Sequence, residues 1–244
     1  MIVLRSLVFN IAFVVSNILW FILALPLLLL PRKKVFVWVL HPWCWTNLWL
    51  HSVICGVKME FRGKENIPEG ACIAAAKHQS AWETMALAAS FPEPRYILKR
   101  ELMWVPLFGL YLLRTGQVTV NRGKRAEAIA AMNKAAALAL AEGGQLLIFP
   151  EGTRRPVDAK PAYKMGVAHM YDTLKRPVVP VAINAGVFWP RRTFLKYPGT
   201  IVIEFLPVIL PGLPKGEFLD LLQETIEAAT NRLVAEARKD LRRS

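Results

Sequence analysis

The sequence predicts an α/β fold, a mixed and largely parallel sheet flanked by helices, preceded by an N-terminal hydrophobic helical region that anchors the chain to a membrane. Three observations carry that expectation. From Lys58 onward, short strand candidates alternate with helix-length stretches, the pattern of helices crossing over a sheet. Upstream of Lys58 lie two long uncharged runs. The length of 244 residues is enough for one such domain with a full core and residues to spare. The expected division is residues 1–57 as membrane-anchoring helices and residues 58–244 as the α/β domain.

Residues 7–30 carry no charge, and as one helix they would reach roughly 36 Å against a hydrocarbon core of about 30 Å. A cleaved signal peptide fits poorly: the apolar run is too long, Arg5 is its whole basic segment, and no small-x-small site precedes Pro31. Pro31-Arg32-Lys33-Lys34 interrupts the run. Residues 35–57 are uncharged again but hold Trp38, Trp43, Trp45, Trp49, His41, His51 and Pro42, which suits a helix lying at the interface better than a clean span. With Arg32, Lys33 and Lys34 kept cytoplasmic by the positive-inside rule, the first segment spans with its N-terminus outside while the second lies flat, or both dip in and return. Either arrangement leaves the following domain on the cytoplasmic membrane surface.

Within that domain, strands are expected at residues 71–76, 95–98, 117–120, 145–149, 178–183 and 200–205. Helices are expected at residues 80–90, 101–113, 124–141 (closed by Gly143-Gly144) and 163–174. Phe218, Leu222, Ile226, Ala229 and Leu233 recur on one face of a C-terminal helix that ends in a basic tail.

Composition narrows the partners. The balance of 31 Lys and Arg against 18 Asp and Glu gives +13, which suits anionic partners. An apolar fraction of 54% and eight tryptophans turn that choice toward a phospholipid bilayer. No helix-turn-helix, RNA-recognition sheet or zinc module is visible, so nucleic acid is not an expected partner. Cys44, Cys55 and Cys72 are odd in number and lack metal-ligand spacing, so they read as free thiols in a reducing compartment. No metal ligand set is visible and no cofactor is expected.

Two short segments carry chemistry. In Lys77-His78-Gln79-Ser80-Ala81-Trp82-Glu83-Thr84, Ser80 and Glu83 fit a capping box, in which Glu83 only bonds back to the backbone. Because His78 precedes the cap, its imidazole can also fold over the first turn onto the Glu83 carboxylate. A carboxylate on one ring nitrogen fixes the tautomer and leaves the other nitrogen to accept a proton. In Phe149-Pro150-Glu151-Gly152-Thr153-Arg154, an apolar strand ends where α/β folds place ligands. There Gly152 allows a tight turn, Thr153 offers a hydroxyl and Arg154 can grip a phosphate as a fork. The alternative is an ordinary surface turn with Arg155, Lys160 and Lys164 as a solvated face. No nucleotide-binding glycine motif occurs to explain these residues.

Taken together, His78-x-x-x-x-Glu83 and Phe149-Pro150-Glu151-Gly152-Thr153-Arg154 resemble the glycerolipid acyltransferase family, most closely its bacterial 1-acyl-sn-glycerol-3-phosphate acyltransferases. Lys99-Arg100-Glu101-Leu102 running through to Asn121-Arg122, and Val178-Val179-Pro180-Val181-Ala182-Ile183-Asn184, agree with it in order. Glu83 stands where the family usually has Asp, Lys77 where it commonly has Asn, and Asn121 where Asp often precedes the arginine.

The resemblance implies an enzyme in which His78, oriented by Glu83, deprotonates the sn-2 hydroxyl of lysophosphatidic acid for attack on the thioester of acyl-CoA or acyl-carrier protein, giving phosphatidic acid. It implies Arg154, Arg122 and Lys99 as phosphate ligands, with Glu151, Gly152 and Thr153 building the turn, and oxyanion donors among backbone N–H groups near Ser80. It also implies the bacterial inner membrane, with the domain on its cytoplasmic face. Acylation of another lysolipid, such as a lyso-ornithine lipid, and a non-catalytic anionic-lipid-binding role remain the alternatives. The apolar stretch 102–113 reads as core or as an acyl-chain tunnel. His169 reads as structural, and His41 and His51 are assigned no chemistry.

Overall fold

In the computed structural model, which describes residues 1–120 and 125–243, the chain opens with α1 (Ile2–Leu23), followed by a 3-10 turn at Leu25–Leu29. The single helix expected over residues 7–30 thus starts at Ile2 and stops at Leu23. Pro26 accounts for the stop, because it has no N–H to continue the α-helical ladder. After Pro31, α2 (Arg32–Val35) passes through a π-turn at Phe36–Leu40 into α3 (His41–Cys55), which Gly56 caps in the left-handed conformation.

The domain that follows runs β1 (Val57–Arg62), β2 (Ile73–Ala76), α4 (Trp82–Ser90), β3 (Pro94–Lys99), α5 (Phe108–Thr115), β4 (Val118–Val120), α6 (Arg125–Ala141), β5 (Gln145–Ile148), α7 (Met165–Leu174), β6 (Val178–Ile183), α8 (Ala185–Phe188), β7 (Gly199–Phe205) and α9 (Lys215–Arg243). All six expected strands form. β1 and the short α8 are additional. The helix expected at residues 101–113 splits into a 3-10 turn at Arg100–Trp104 and α5, with Pro106 between them.

One seven-stranded sheet holds the strands in the order β1-β7-β6-β2-β5-β3-β4. Every neighbouring pair is parallel except β6 with β7. Both faces are covered, as a mostly parallel sheet requires. Ala74, Ala76, Leu147, Val179 and Val181 point to the face packed by Phe9 of α1, Leu48 of α3 and Met85 of α4. Their strand neighbours Ile73, Ala75, Leu146, Ile148 and Val178 point to the other face, against Met132 of α6, Met170 of α7 and Leu222 of α9. The core therefore continues from the sheet into α1 and α3.

α1 is inside out. Ser6, Asn10 and Asn17 turn toward the protein: Ser6 Oγ accepts from the Lys196 N–H at 2.9 Å, Asn10 donates to the Phe194 carbonyl at 3.0 Å, and Asn17 bonds Trp43 at 2.7 Å and Asn47 at 3.0 Å. Its apolar residues Leu7, Ile11, Val14, Val15, Ile18 and Ile22 face away. Only 11% of the helix's apolar window is buried, and the helix is long and apolar enough to cross a membrane.

Candidate active site

The site forms where the adjacent parallel strands β2 and β5 end. Strand alternation continues past Ala76 because the Lys77 N–H still bonds the Val181 carbonyl at 3.0 Å. His78 therefore follows Ala74 and Ala76 onto the α4 face, and Lys77 follows Ile73 and Ala75 onto the opposite one. By the same alternation Phe149 shares the face of His78. The two rings stack with centroids 3.8 Å apart and planes 13° from parallel.

His78 Nδ1 lies 2.9 Å from Glu83 Oε1. The same oxygen accepts the N–H groups of Gln79 at 2.7 Å and Ser80 at 2.6 Å. The bond from Ser80 is the return arm of the expected capping box, so Glu83 closes the helix start and holds the histidine at once. The other arm of the expected box does not form: Ala81, and not Ser80, caps the helix, and Ser80 Oγ accepts the Trp82 N–H at 3.2 Å instead of the Glu83 N–H. Glu83 is fully buried. With a carboxylate as its partner, Nδ1 carries the ring proton and Nε2 is left as an acceptor. The N–H groups of Gln79, Ser80 and Trp82 are all engaged, which removes them as the oxyanion donors expected near Ser80.

His78 lines a cavity of about 660 Å³, within the range of ligand pockets. Lys99, Gly152, Thr153, Arg154 and Lys164 share that lining, and Arg154 and Lys99 are exposed. The rest is largely apolar, with Trp20 and Phe21 of α1, Trp43 of α3, Tyr96 of β3, Phe108 of α5 and Val167 of α7 among its walls. Of residues 102–113, Leu102, Phe108, Tyr111 and Leu112 line the cavity. Trp104, Val105, Leu110 and Leu113 are exposed instead, so this stretch is not ordinary core.

Gly152 adopts φ +67°, the left-handed region that glycine enters without the strain a side chain would bring. The following residue pair is tied to the first motif: the Arg155 N–H donates to the His78 carbonyl at 2.7 Å. Arg191 donates to the Arg154 carbonyl. Glu151 does not line the cavity. It is buried and paired with Lys77 at 3.1 Å, and burial holds its carboxyl above the ordinary range despite that lysine. Lys77 also bonds Glu227 of α9 at 2.6 Å.

Arg122 lies outside the described residues. His41, bonded to the Phe91 carbonyl at 3.0 Å, and His51 and His169 are absent from the cavity lining. Among the described residues no three His, Cys, Asp or Glu side chains gather to hold a metal ion. Phe149 as the ring support and Glu227 as a partner of Lys77 were missed by sequence reasoning. The alternation of β5 carried the signal for Phe149. Glu227 is 150 residues from Lys77 and no local pattern points to it.

The sequence profile of the Acyltransferase family matches residues 58–184. Over 181 residues the chain is 38% identical to a 1-acyl-sn-glycerol-3-phosphate acyltransferase of Pseudomonas aeruginosa, covering 74% of this chain and 70% of that protein. A protein of the same name in Saccharomyces cerevisiae is 27% identical over 195 residues, covering 76% and 64%. The fold matches the crystal structure of the 1-acyl-sn-glycerophosphate acyltransferase PlsC from Thermotoga maritima with a TM-score of 0.79, over 96% of this chain and 98% of that one, at 21% identity.

Proposed function

The chain belongs to the Acyltransferase family, and from that membership we propose that it moves an acyl group from acyl-CoA or acyl-carrier protein to the sn-2 hydroxyl of 1-acyl-sn-glycerol 3-phosphate, releasing phosphatidic acid. One observation carries the reading. A histidine held by a buried glutamate faces the same cavity as Arg154, Thr153, Lys99 and Lys164, and the remaining walls of that cavity are largely apolar. A lysophosphatidate has the same three parts, a hydroxyl, a phosphate and a hydrocarbon chain.

In this mechanism His78 Nε2 takes the proton from the acceptor hydroxyl as its oxygen attacks the thioester carbonyl. The buried Glu83 carboxylate stabilises the imidazolium that forms. Collapse of the tetrahedral intermediate breaks the carbon–sulfur bond, and the imidazolium returns its proton to the departing thiolate. Atoms balance without an acyl-enzyme. Arg154 grips the acceptor phosphate as a fork, with Lys99 as a second cation. Arg122, which the resemblance adds, is assigned the same role. Both substrates are complete without a cofactor.

The bacterial inner membrane, with this domain on its cytoplasmic face, is the proposed location. The outward apolar face of α1 and the basic run Arg32, Lys33 and Lys34 support it.

Replacing Arg154 with Ala tests the phosphate assignment. The KM for lysophosphatidate should rise on the order of tenfold while the KM for acyl-CoA changes little, because only one substrate loses its ion pair. Equal changes in both constants would remove Arg154 from the phosphate site.

A further inference from the structure

On the face of the sheet opposite His78, a second polar cluster is buried. Lys77 Nζ sits between Glu151 Oε1 at 3.1 Å and Glu227 Oε1 at 2.6 Å, and the lysine is 1% exposed. Tyr163 donates to the same Glu227 oxygen at 3.0 Å. None of these four side chains lines the cavity, so none is placed to touch substrate. Their backbone positions matter more. Lys77 is covalently next to His78, Glu151 opens the turn carrying Gly152, Thr153 and Arg154, and Tyr163 precedes Lys164 at the far end of the same loop.

α9 holds this loop at a further point. Arg238 grips both oxygens of Asp158 at 2.8 and 2.7 Å. Glu227 and Arg238 are three helical turns apart, hence on one face of α9. One side of the C-terminal helix thus meets the loop at Asp158 and Tyr163 directly, and at Glu151 through Lys77. The loop is tied elsewhere as well, by the Arg155 N–H to the His78 carbonyl at 2.7 Å, the Lys164 N–H to the Pro150 carbonyl at 3.0 Å and the Arg191 side chain to the Arg154 carbonyl, and the contacts to α9 hold the segment between these points.

We propose that Glu227 is a positioning residue: acting through Lys77 and Tyr163, it fixes the 150–164 loop against α9 and so sets where Arg154 stands relative to His78. The consequence for substrate rests on the reading of Arg154 as the phosphate ligand. The loop-fixing role does not. A buried lysine shared by the buried Glu151 and the partly buried Glu227 suits this task, because a buried ion pair tolerates little displacement before it is left uncompensated.

The test uses the full chain in detergent, with Glu227→Gln and the milder Tyr163→Phe, which removes one hydroxyl and keeps the ring. Hydrogen exchange needs no substrate. Exchange in residues 149–163 should quicken by about fivefold or more in both variants, while α4 keeps its wild-type protection. Unchanged exchange in the loop overturns the proposal, as does a uniform rise over the whole chain, the mark of simple destabilisation.

Kinetics supply the second arm. In Glu227→Gln the KM for lysophosphatidate should rise about fivefold with the KM for acyl-CoA within about twofold, and in a Glu151→Gln background the same change should add little, since both act through one lysine. Fully additive effects, or a fall in kcat with both KM values unmoved, count against it. A wild-type protein that ignores lysophosphatidate sinks the proposed acceptor, and the exchange experiment then decides the positioning role alone.

Discussion

A single carboxylate oxygen of Glu83 accepts three hydrogen bonds, from His78, Gln79 and Ser80, and this is why the residue cannot be sorted as either a cap or a catalytic partner. The extra methylene of Glu relative to Asp is absorbed because the helix begins at Trp82, which brings the carboxylate back under the first turn. Replacing His78 with Ala should lower kcat on the order of 10²- to 10⁴-fold, the range for loss of a general base, while binding to lipid vesicles persists. Near-normal turnover in that variant would take the proton-transfer role from His78. The sequence made His78, Glu83 and Arg154 legible because each lies in a short local motif at a strand end. It left Lys77, Glu151 and Glu227 unexplained as a group, since their pairing depends on how β2, β5 and α9 meet across the sheet. Glu151 was read as part of the phosphate turn, and it does shape that turn, but from the side facing away from the cavity.

At the scale of elements, the alternation of strands and helices was legible wherever turn residues separate them. β1 was passed over because Val57 ends the same uncharged run that holds α3, although Lys58, Glu60 and Arg62 alternate with Met59 and Phe61. The inward side of α1 was not legible, because its polar residues are few and spread over a uniformly apolar stretch. α3 joins α1 through a seam whose least expected member is His51, wedged between Phe9 at 4.9 Å and Trp189 at 4.8 Å between ring centroids. Neither of its ring nitrogens has a hydrogen-bond partner among the described residues. Burial, with Lys196 nearby adding to it, pushes its pKa down to about 3. The unfolded chain therefore binds the proton below the ordinary value of about 6.5, where the folded chain refuses it. Stability should fall as pH drops from about 6.5 toward 3, by up to about 1.4 kcal/mol per pH unit from this group. Thermal unfolding at pH 7 and pH 5 should show a larger loss for the wild type than for His51→Phe; parallel losses would mean that His51 already accepts its proton in the fold.

Across the whole molecule, an outward apolar helix, a basic balance of charge and a cavity that is part cationic and part apolar all suit the proposed work on a lipid substrate. The N-terminal helices belong to the walls of the site, since Trp20, Phe21 and Trp43 line the cavity and Phe9 and Leu48 share the core of the sheet. Trp104, Leu110 and Leu113, of α5 and the turn before it, are exposed apolar residues as well. On the proposed function, one cavity joins proton abstraction from a hydroxyl to recognition of a phosphate. Thiol release from palmitoyl-CoA by the detergent-purified protein, with lysophosphatidate compared against the phosphate-free monoacylglycerol, tests it most directly. Rapid release with lysophosphatidate and little with monoacylglycerol is the predicted result; equal release with both acceptors would contradict it.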